Sequence, residues 1–146
     1  MESMSKIEAV LFDLDGTLLD SFPDFLASLK NININSSSKK IDESIVRANV
    51  SDGSSKLLKL VFDINADDED FDEHKRIFLN EYEKNILMYG NLFLGVSDLL
   101  NFLLDKKIPY GIVTNKPRKY TEIILKKSSL LRPVSYTHLT LPTIGC

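Results

Sequence analysis

Two short apolar runs, each closing on a polar loop, constrain this chain more than any other feature. Ile7–Phe12 (IEAVLF) gives way at Asp13 to DLDGT, and Ile108–Thr114 (IPYGIVT) gives way to NKP. Apolar runs of this length without alternation suit strands of a parallel sheet buried on both faces. Between them lies a block of about 80 residues with helical periodicity only. A strand, a helical insertion, then helix, strand, loop and helix predict an α/β fold: a parallel sheet plus a helical cap. Parallel α/β sheets carry their sites at the carboxyl ends of strands. Both polar loops sit there, and adjacent parallel strands would bring them together.

The helical block divides by its punctuation. Pro23 marks a helix start, with Phe22, Phe25, Leu26 and Leu29 at helical spacing. Residues 31–40 are Asn/Ser-rich and read as a loop. Helices are predicted over 42–48, 55–62 and 73–86, with Ile77, Phe78, Tyr82 and Ile86 on one side of the last. The acid-dense stretch 65–73 reads as a solvated loop entering that helix, where acids favour the macrodipole; a calcium loop is the sharper alternative, without the glycine and spacing of an EF-hand. A further helix covers 96–107, capped by Ser97 or a neighbour, and another covers 118–131.

Composition removes several classes of function. Of 146 residues, 43% are hydrophobic and 27% charged, a globular balance, and the net charge of -3 disfavours an electrostatic nucleic-acid binder. No apolar run is long enough for a bilayer, and the N-terminus lacks a signal-peptide core. A single cysteine points to the cytoplasm as the default compartment. The segment Val134–Thr143 (VSYTHLTLPT) matches, codon for codon, the translation of a transposon-type sequencing adapter, so residues 134–146 read as a non-native tail. The alternative is a genuine strand-like tail, since Val, Tyr, Thr and Leu suit strands. With the tail set aside, Cys146 and His138 go with it and His74 is the one histidine left. Chemistry then rests on carboxylates, hydroxyls, lysines and backbone amides.

Asp13 and Asp15 would share a face in an extended segment. Two close carboxylates repel unless a cation intervenes, and Mg²⁺ is held by one or two carboxylates plus water and phosphate oxygens. One carboxylate could then serve as nucleophile and the other as general acid and base. Gly16 permits a tight turn that would leave amides free to face an anion, and Thr17 adds a hydroxyl. The plainer reading of DxDG is a turn with a metal-free acid pair.

Taken together, AVLFDLDGTLLDS and IPYGIVTNKP resemble the first and second motifs of the haloacid dehalogenase superfamily of phosphohydrolases with a helical C1 cap. The resemblance runs from Ile7 to Leu131. It implies a partial Rossmann-like core at residues 1–19 and 91–133 with a cap inserted at 20–90. By the same resemblance Asp13 is the nucleophile that forms an aspartyl-phosphate, and Asp15 is the acid/base. The Asp13 carboxylate and the Asp15 backbone carbonyl would ligate Mg²⁺. Gly16, Thr17, Thr114 and the Asn115 region would bind phosphate. Asp15 argues against a dehalogenase, Thr17 against the sugar-phosphate mutases, and Leu14 against the P-type pumps.

Within the superfamily, VRANVSDGSSKLLKLVF resembles the cap segment of phosphoglycolate phosphatases and N-acetylmuramic acid 6-phosphate phosphatases. Ser51, Gly53 and Ser54 could there address the substrate; equally they could form a helix-connecting turn with an N-cap. Arg47 reads as a solvated helix arginine, with a substrate carboxylate the alternative. Lys116 reads as an exposed loop lysine, with an approach to phosphate the alternative. Asp20 is expected near the hinge, and His74 to face solvent. The family's third-motif lysine and fourth-motif acids have no counterpart; Lys126 and Lys127 lie in a helical pattern. The expectation is a Mg²⁺-dependent phosphatase of a small phosphorylated metabolite, 2-phosphoglycolate first and a sugar phosphate second, with neither nucleic acid nor membrane as partner. The chain as given is expected to be weak or inactive. The rival of another class is a non-catalytic binding module.

Overall fold

The computed structural model describes residues 7–32, 40–128, 131 and 135–138, the last four by backbone alone. Most of the predicted loop at 31–40, the tail beyond His138 and its Cys146 lie outside the described residues. The chain divides into two compact units, Met1–Leu19 with Leu92–Cys146, and Asp20–Asn91. It leaves the first unit along β2 (Leu19–Asp20) and returns along β3 (Asn91–Leu92), and these two short strands pair.

The first unit is built on a parallel sheet. Strand β1 (Val10–Phe12) lies beside β4 (Tyr110–Thr114), with Val10 opposite Tyr110 and Phe12 opposite Ile112. Beyond β4 runs β5 (Ser135–His138), also parallel, with Ile112 opposite Tyr136. These four residues belong to the segment that matches adapter sequence; as backbone they behave as the strand-suited Tyr136 and Thr137 allow. Helix α5 (Val96–Asp105) precedes β4, and α6 (Arg118–Lys127) follows it. Leu100, Leu103, Ile112 and Ile124 form the buried centre together with Leu14 and Leu18.

Two expectations fail in this unit. Ile7–Ala9 do not join the strand: pairing begins where the Val10 amide donates to the Pro109 carbonyl. Strand β1 is not buried on both faces, for Leu11 is 70% exposed; the described residues cover only one side of it. Of the caps expected for α5, Ser97 or a neighbour, the structure has the neighbour: the N-cap is Gly95, in a left-handed conformation at φ 85°.

The second unit is helical: α1 (Phe22–Asn31), α2 (Glu43–Asn49), a 3₁₀ turn (Val50–Asp52), α3 (Ser54–Phe62) and α4 (Phe71–Asn85). Pro23 stands in the first turn of α1, where its missing N–H is no loss. Asp42 caps α2; its carboxylate accepts the Ser44 hydroxyl and the Ser44 and Ile45 amides, and these bonds, the hydroxyl first, hold its carboxyl below the ordinary aspartate value. The centre is aromatic: Phe25 stacks on Tyr82 at 4.1 Å between ring centres, and Phe78 lies 6.1 Å from Phe25. Phe78, Tyr82 and Ile86 are buried at successive four-residue steps, but Ile77, one position off that stripe, is 37% exposed. The acid-dense stretch at 65–70 is a largely exposed turn, where Asp68 accepts the Asn65 amide.

A buried carboxylate fastens the two ends of this unit. Asp24, in the first turn of α1, is 1% exposed. Its Oδ1 accepts the Tyr89 and Gly90 amides at 2.9 and 2.8 Å, and its Oδ2 accepts the Leu87 amide at 2.8 Å. Ser28 Oγ donates to the Asp24 carbonyl and accepts from Asn85 Nδ2. The approach is so close that a Cβ on Gly90 would lie 2.6 Å from Asp24 Oδ2 and 2.8 Å from the Asp20 carbonyl oxygen.

Candidate active site

The parallel pairing of β1 with β4 sets the DLDGT and TNKP loops side by side, as the position of both at strand ends predicted. A cavity of about 320 Å³ opens there, lined by Leu11, Phe12, Asp13, Val113, Thr114 and Asn115. It gathers three of the expected site residues, one carboxylate from the first loop and a hydroxyl and an amide from the second. Asp13 is exposed, and among the described residues nothing is hydrogen-bonded or ion-paired to its carboxylate. An unencumbered carboxylate at a cavity mouth is available to a cation or an electrophile. Thr114 is buried, and its hydroxyl oxygen accepts the Lys116 amide at 3.1 Å. That bond occupies an acceptor lone pair and leaves the hydroxyl proton to be donated.

The first loop is a tight reversal. Gly16 sits at φ 79°, where a side chain would be strained. Its amide is not free to face an anion, contrary to expectation: it donates to the Leu19 carbonyl at 2.9 Å. The Thr17, Leu18 and Leu19 amides all turn back to the Leu14 carbonyl. Closing the turn consumes these donors, so Gly16 serves the loop through its conformation. Thr17 is exposed.

Asp15 is not among the cavity's lining residues; it belongs to an ion pair. Lys116 Nζ stands 3.0 Å from Asp15 Oδ2 and 3.2 Å from Oδ1. The Lys116 side chain is only 4% exposed and that of Asp15 18%. The reading of Lys116 as an exposed loop lysine is therefore wrong. Its signal was present in the register: continuing Phe12 opposite Ile112 sets the residues after Asp13 level with those after Val113, which brings a cation at position 116 near a carboxylate at 15.

The remaining candidates lie in the helical unit. Asp20 stands where the chain passes between units; its Oδ1 accepts the Phe22 amide and its Oδ2 is 3.6 Å from Arg47. Arg47 is exposed, as expected of a solvated helix arginine, with its guanidinium 3.9 Å over the Phe22 ring. Ser51 is exposed in the 3₁₀ turn, Gly53 at φ 89° is the N-cap of α3, and Ser54 is its first residue. The segment connects α2 to α3, as the helix-connecting reading expected, with Gly53 as the N-cap and no side chain capping α3. His74 does not face solvent: its side chain is 13% exposed, with Nδ1 3.4 Å from Asp70.

A metal of the expected kind meets a suitable, incomplete donor set. The loop offers hard oxygen donors, which suit Mg²⁺. The Asp15 carboxylate is engaged by Lys116, while the Asp13 carboxylate has no hydrogen-bond or ion-pair partner among the described residues. Among the described residues no cluster of three or more His, Cys, Asp or Glu could hold a metal by itself. Nor, among those residues, is any helix long and apolar enough to cross a membrane.

Comparison with known proteins shows the family. Residues 10–137 match the family described as haloacid dehalogenase-like hydrolase. An N-acetylmuramic acid 6-phosphate phosphatase of Pseudomonas putida is 30% identical over 125 residues, 86% of this chain and 56% of that protein. A phosphoglycolate phosphatase of Xanthomonas campestris pv. campestris is 39% identical over 117 residues, 80% of this chain and 52% of that one. The crystal structure of a predicted phosphoglycolate phosphatase from Haemophilus somnus superposes with a TM-score of 0.76 at 27% identity, over 97% of this chain and 67% of the other. The chain spans about half the length of the curated relatives it matches.

Proposed function

Because this chain belongs to the haloacid dehalogenase-like hydrolase family, we propose that it carries the nucleophile-bearing part of a Mg²⁺-dependent phosphomonoesterase. The observation that carries the reading is one cavity lined by both Asp13, whose carboxylate has no partner among the described residues, and Thr114. In this reading Asp13 attacks phosphorus, the ester P–O bond breaks, and the carboxylic acid of Asp15 gives its proton to the departing alkoxide. Water then attacks the aspartyl-phosphate, Asp15 takes the water's proton, and the P–O bond to Asp13 breaks, releasing phosphate and restoring both carboxyl groups. The Thr114 hydroxyl donates to a phosphoryl oxygen, and Asn115 contributes its backbone amide. Mg²⁺, held by the Asp13 carboxylate and the Asp15 carbonyl, would neutralise charge on the phosphoryl oxygens.

The substrate class is a small phosphorylated metabolite. The named relatives support 2-phosphoglycolate and N-acetylmuramic acid 6-phosphate as first and second candidates. Ser51, Gly53 and Ser54 are the cap residues we assign to the non-phosphate end. The family's cationic third motif and acidic fourth motif are absent from this sequence. One lost transition-state contact costs about 10²–10³ in rate, so the 146-residue chain should turn over weakly at best. The test is a panel of phosphate esters on the full-length gene product, with and without Mg²⁺, beside Asp13→Asn. Mg²⁺-dependent release of phosphate, abolished in Asp13→Asn, supports the reading. Unaltered activity in that variant refutes the covalent mechanism, and no turnover of any ester favours a non-catalytic binding module.

A further inference from the structure

We propose that Lys116 is the positioning residue for Asp15: it fixes the orientation of the carboxyl group that exchanges protons with the leaving alcohol and the attacking water. The inference rests on the phosphatase reading above and adds to it a residue outside the motif roles.

Three observations carry it. Lys116 is a buried lysine whose ammonium lies within hydrogen-bond distance of both Asp15 oxygens, so the pair constrains rotation of the carboxylate as well as its place. Pairs on the helix surfaces differ in kind. Lys30–Glu43 and Arg118–Glu122, for instance, have side chains 41–73% exposed, and such pairs hold little. Burying an ammonium is costly unless it is paired, so the Lys116 contact is built into the packing. Second, the lysine's own backbone is anchored. Its amide donates to Thr114 Oγ1 at 3.1 Å, and its carbonyl accepts from Thr121 Oγ1 at 3.4 Å in α6. Third, the contact joins loops 101 positions apart in sequence, and those loops end the paired strands β1 and β4.

The consequence is geometric. Asp15 follows a strand end and precedes Gly16 in a left-handed turn, so its side chain is carried on a loop. Proton transfer in a reacting complex demands hydrogen-bond reach, and a loop carboxylate needs a second group to hold it there. One short turn, Thr114–Lys116, supplies both the hydroxyl at the cavity and the ammonium that holds Asp15. The spacing between phosphoryl contact and acid/base is thereby set by three residues of backbone.

The experiment separates orientation of Asp15 from binding of phosphate and from folding. Lys116→Met and Lys116→Arg are made in the full-length gene product and assayed on two esters. One is an alkyl phosphate such as 2-phosphoglycolate, whose alkoxide needs a proton to leave. The other is p-nitrophenyl phosphate, whose phenolate leaves without one. Expected for Lys116→Met is a fall in kcat of about 10²-fold on the alkyl ester, the scale of acid–base catalysis. KM should stay within about threefold, and p-nitrophenyl phosphate should be nearly spared. Asp15→Asn should show the same selectivity, and adding Lys116→Met to it should cost no more than about twofold, as for residues acting through one group. Lys116→Arg should restore part of the alkyl-ester rate; should Lys116→Met not fold, this variant carries the test by the same selectivity. Equal losses on both esters, or an undiminished cost in the double variant, overturn the proposal. Asp13→Asn, run alongside, reports on the reaction itself: activity surviving there refutes the phosphatase reading, whatever Lys116 does.

Discussion

Replacing Asp24 by asparagine tests how the helical unit is held at its two ends. The carboxylate accepts three backbone amides, from Leu87, Tyr89 and Gly90, all within 2.9 Å, in a site that water does not reach. Asparagine keeps the shape but has one acceptor oxygen. If that oxygen stays at the Oδ1 position it retains the Tyr89 and Gly90 amides as neutral bonds. Its NH₂ group then meets the Leu87 N–H, donor against donor. A hydrogen bond to a charged group is worth about 1.5–3 kcal/mol and a neutral one about 1, and leaving a buried donor unpaired costs about 1–3. One bond lost and two weakened give about 2–4 kcal/mol. Divided by a urea slope of about 1–3 kcal/mol/M, that is a fall in the unfolding midpoint of about 0.7–4 M, or about 1.5 M at mid-range. Urea titration followed by circular dichroism reads the midpoint, and hydrogen exchange reads the Leu87, Tyr89 and Gly90 amides, which should lose protection first. A midpoint within about 0.3 M of the parent, with those amides still protected, would refute the argument from buried charge-assisted bonds.

Gly90→Ala attacks the same junction from the other side: its Cβ would sit 2.6 Å from Asp24 Oδ2, and the overpacking should cost about 1–3 kcal/mol in the same urea assay. Asp42 supplies a pH test. Its carboxyl is held below the ordinary value by the Ser44 hydroxyl and the Ser44 and Ile45 amides, so its stabilising cap is present above the unfolded value and is lost as pH falls through the folded one. The Ser44 and Ile45 amide resonances should accordingly titrate below the ordinary aspartate range, and Asp42→Asn should abolish that titration. The 146-residue chain should release phosphate at least about 10²-fold more slowly than the full-length gene product; equal rates would show that the absent motifs are dispensable. We further propose that residues 134–146 are foreign to the gene. A genomic locus that reads through those codons would contradict it.

What could be read from the sequence was whatever is local. DLDGT and TNKP each announce themselves by residue type at a strand end, and parallel pairing of the two strands then assembles Asp13, Thr114 and Asn115 around one cavity. Pro23 and the Phe78–Tyr82–Ile86 spacing located helices by the same local logic. What was missed depends on partners distant in the chain. Lys116 looked like a loop lysine because its acceptor is 101 positions away. Asp24 looked like an ordinary acid in a first helical turn, yet its partners lie 63 to 66 residues on. The fate of the Gly16 amide was invisible for another reason: glycine composition predicts a turn, and the turn's own hydrogen bonds decide which donors remain.

The central claim is that Asp13 is the nucleophile of phosphoryl transfer. Acid quenching of the full-length gene product after brief exposure to ³²P-labelled substrate and Mg²⁺ tests it most directly. The account predicts protein-bound label that hydroxylamine releases, as from an acyl phosphate, that maps to the peptide containing Asp13, and that Asp13→Asn eliminates. Turnover at the parent rate in Asp13→Asn, or label on any other residue, would contradict it.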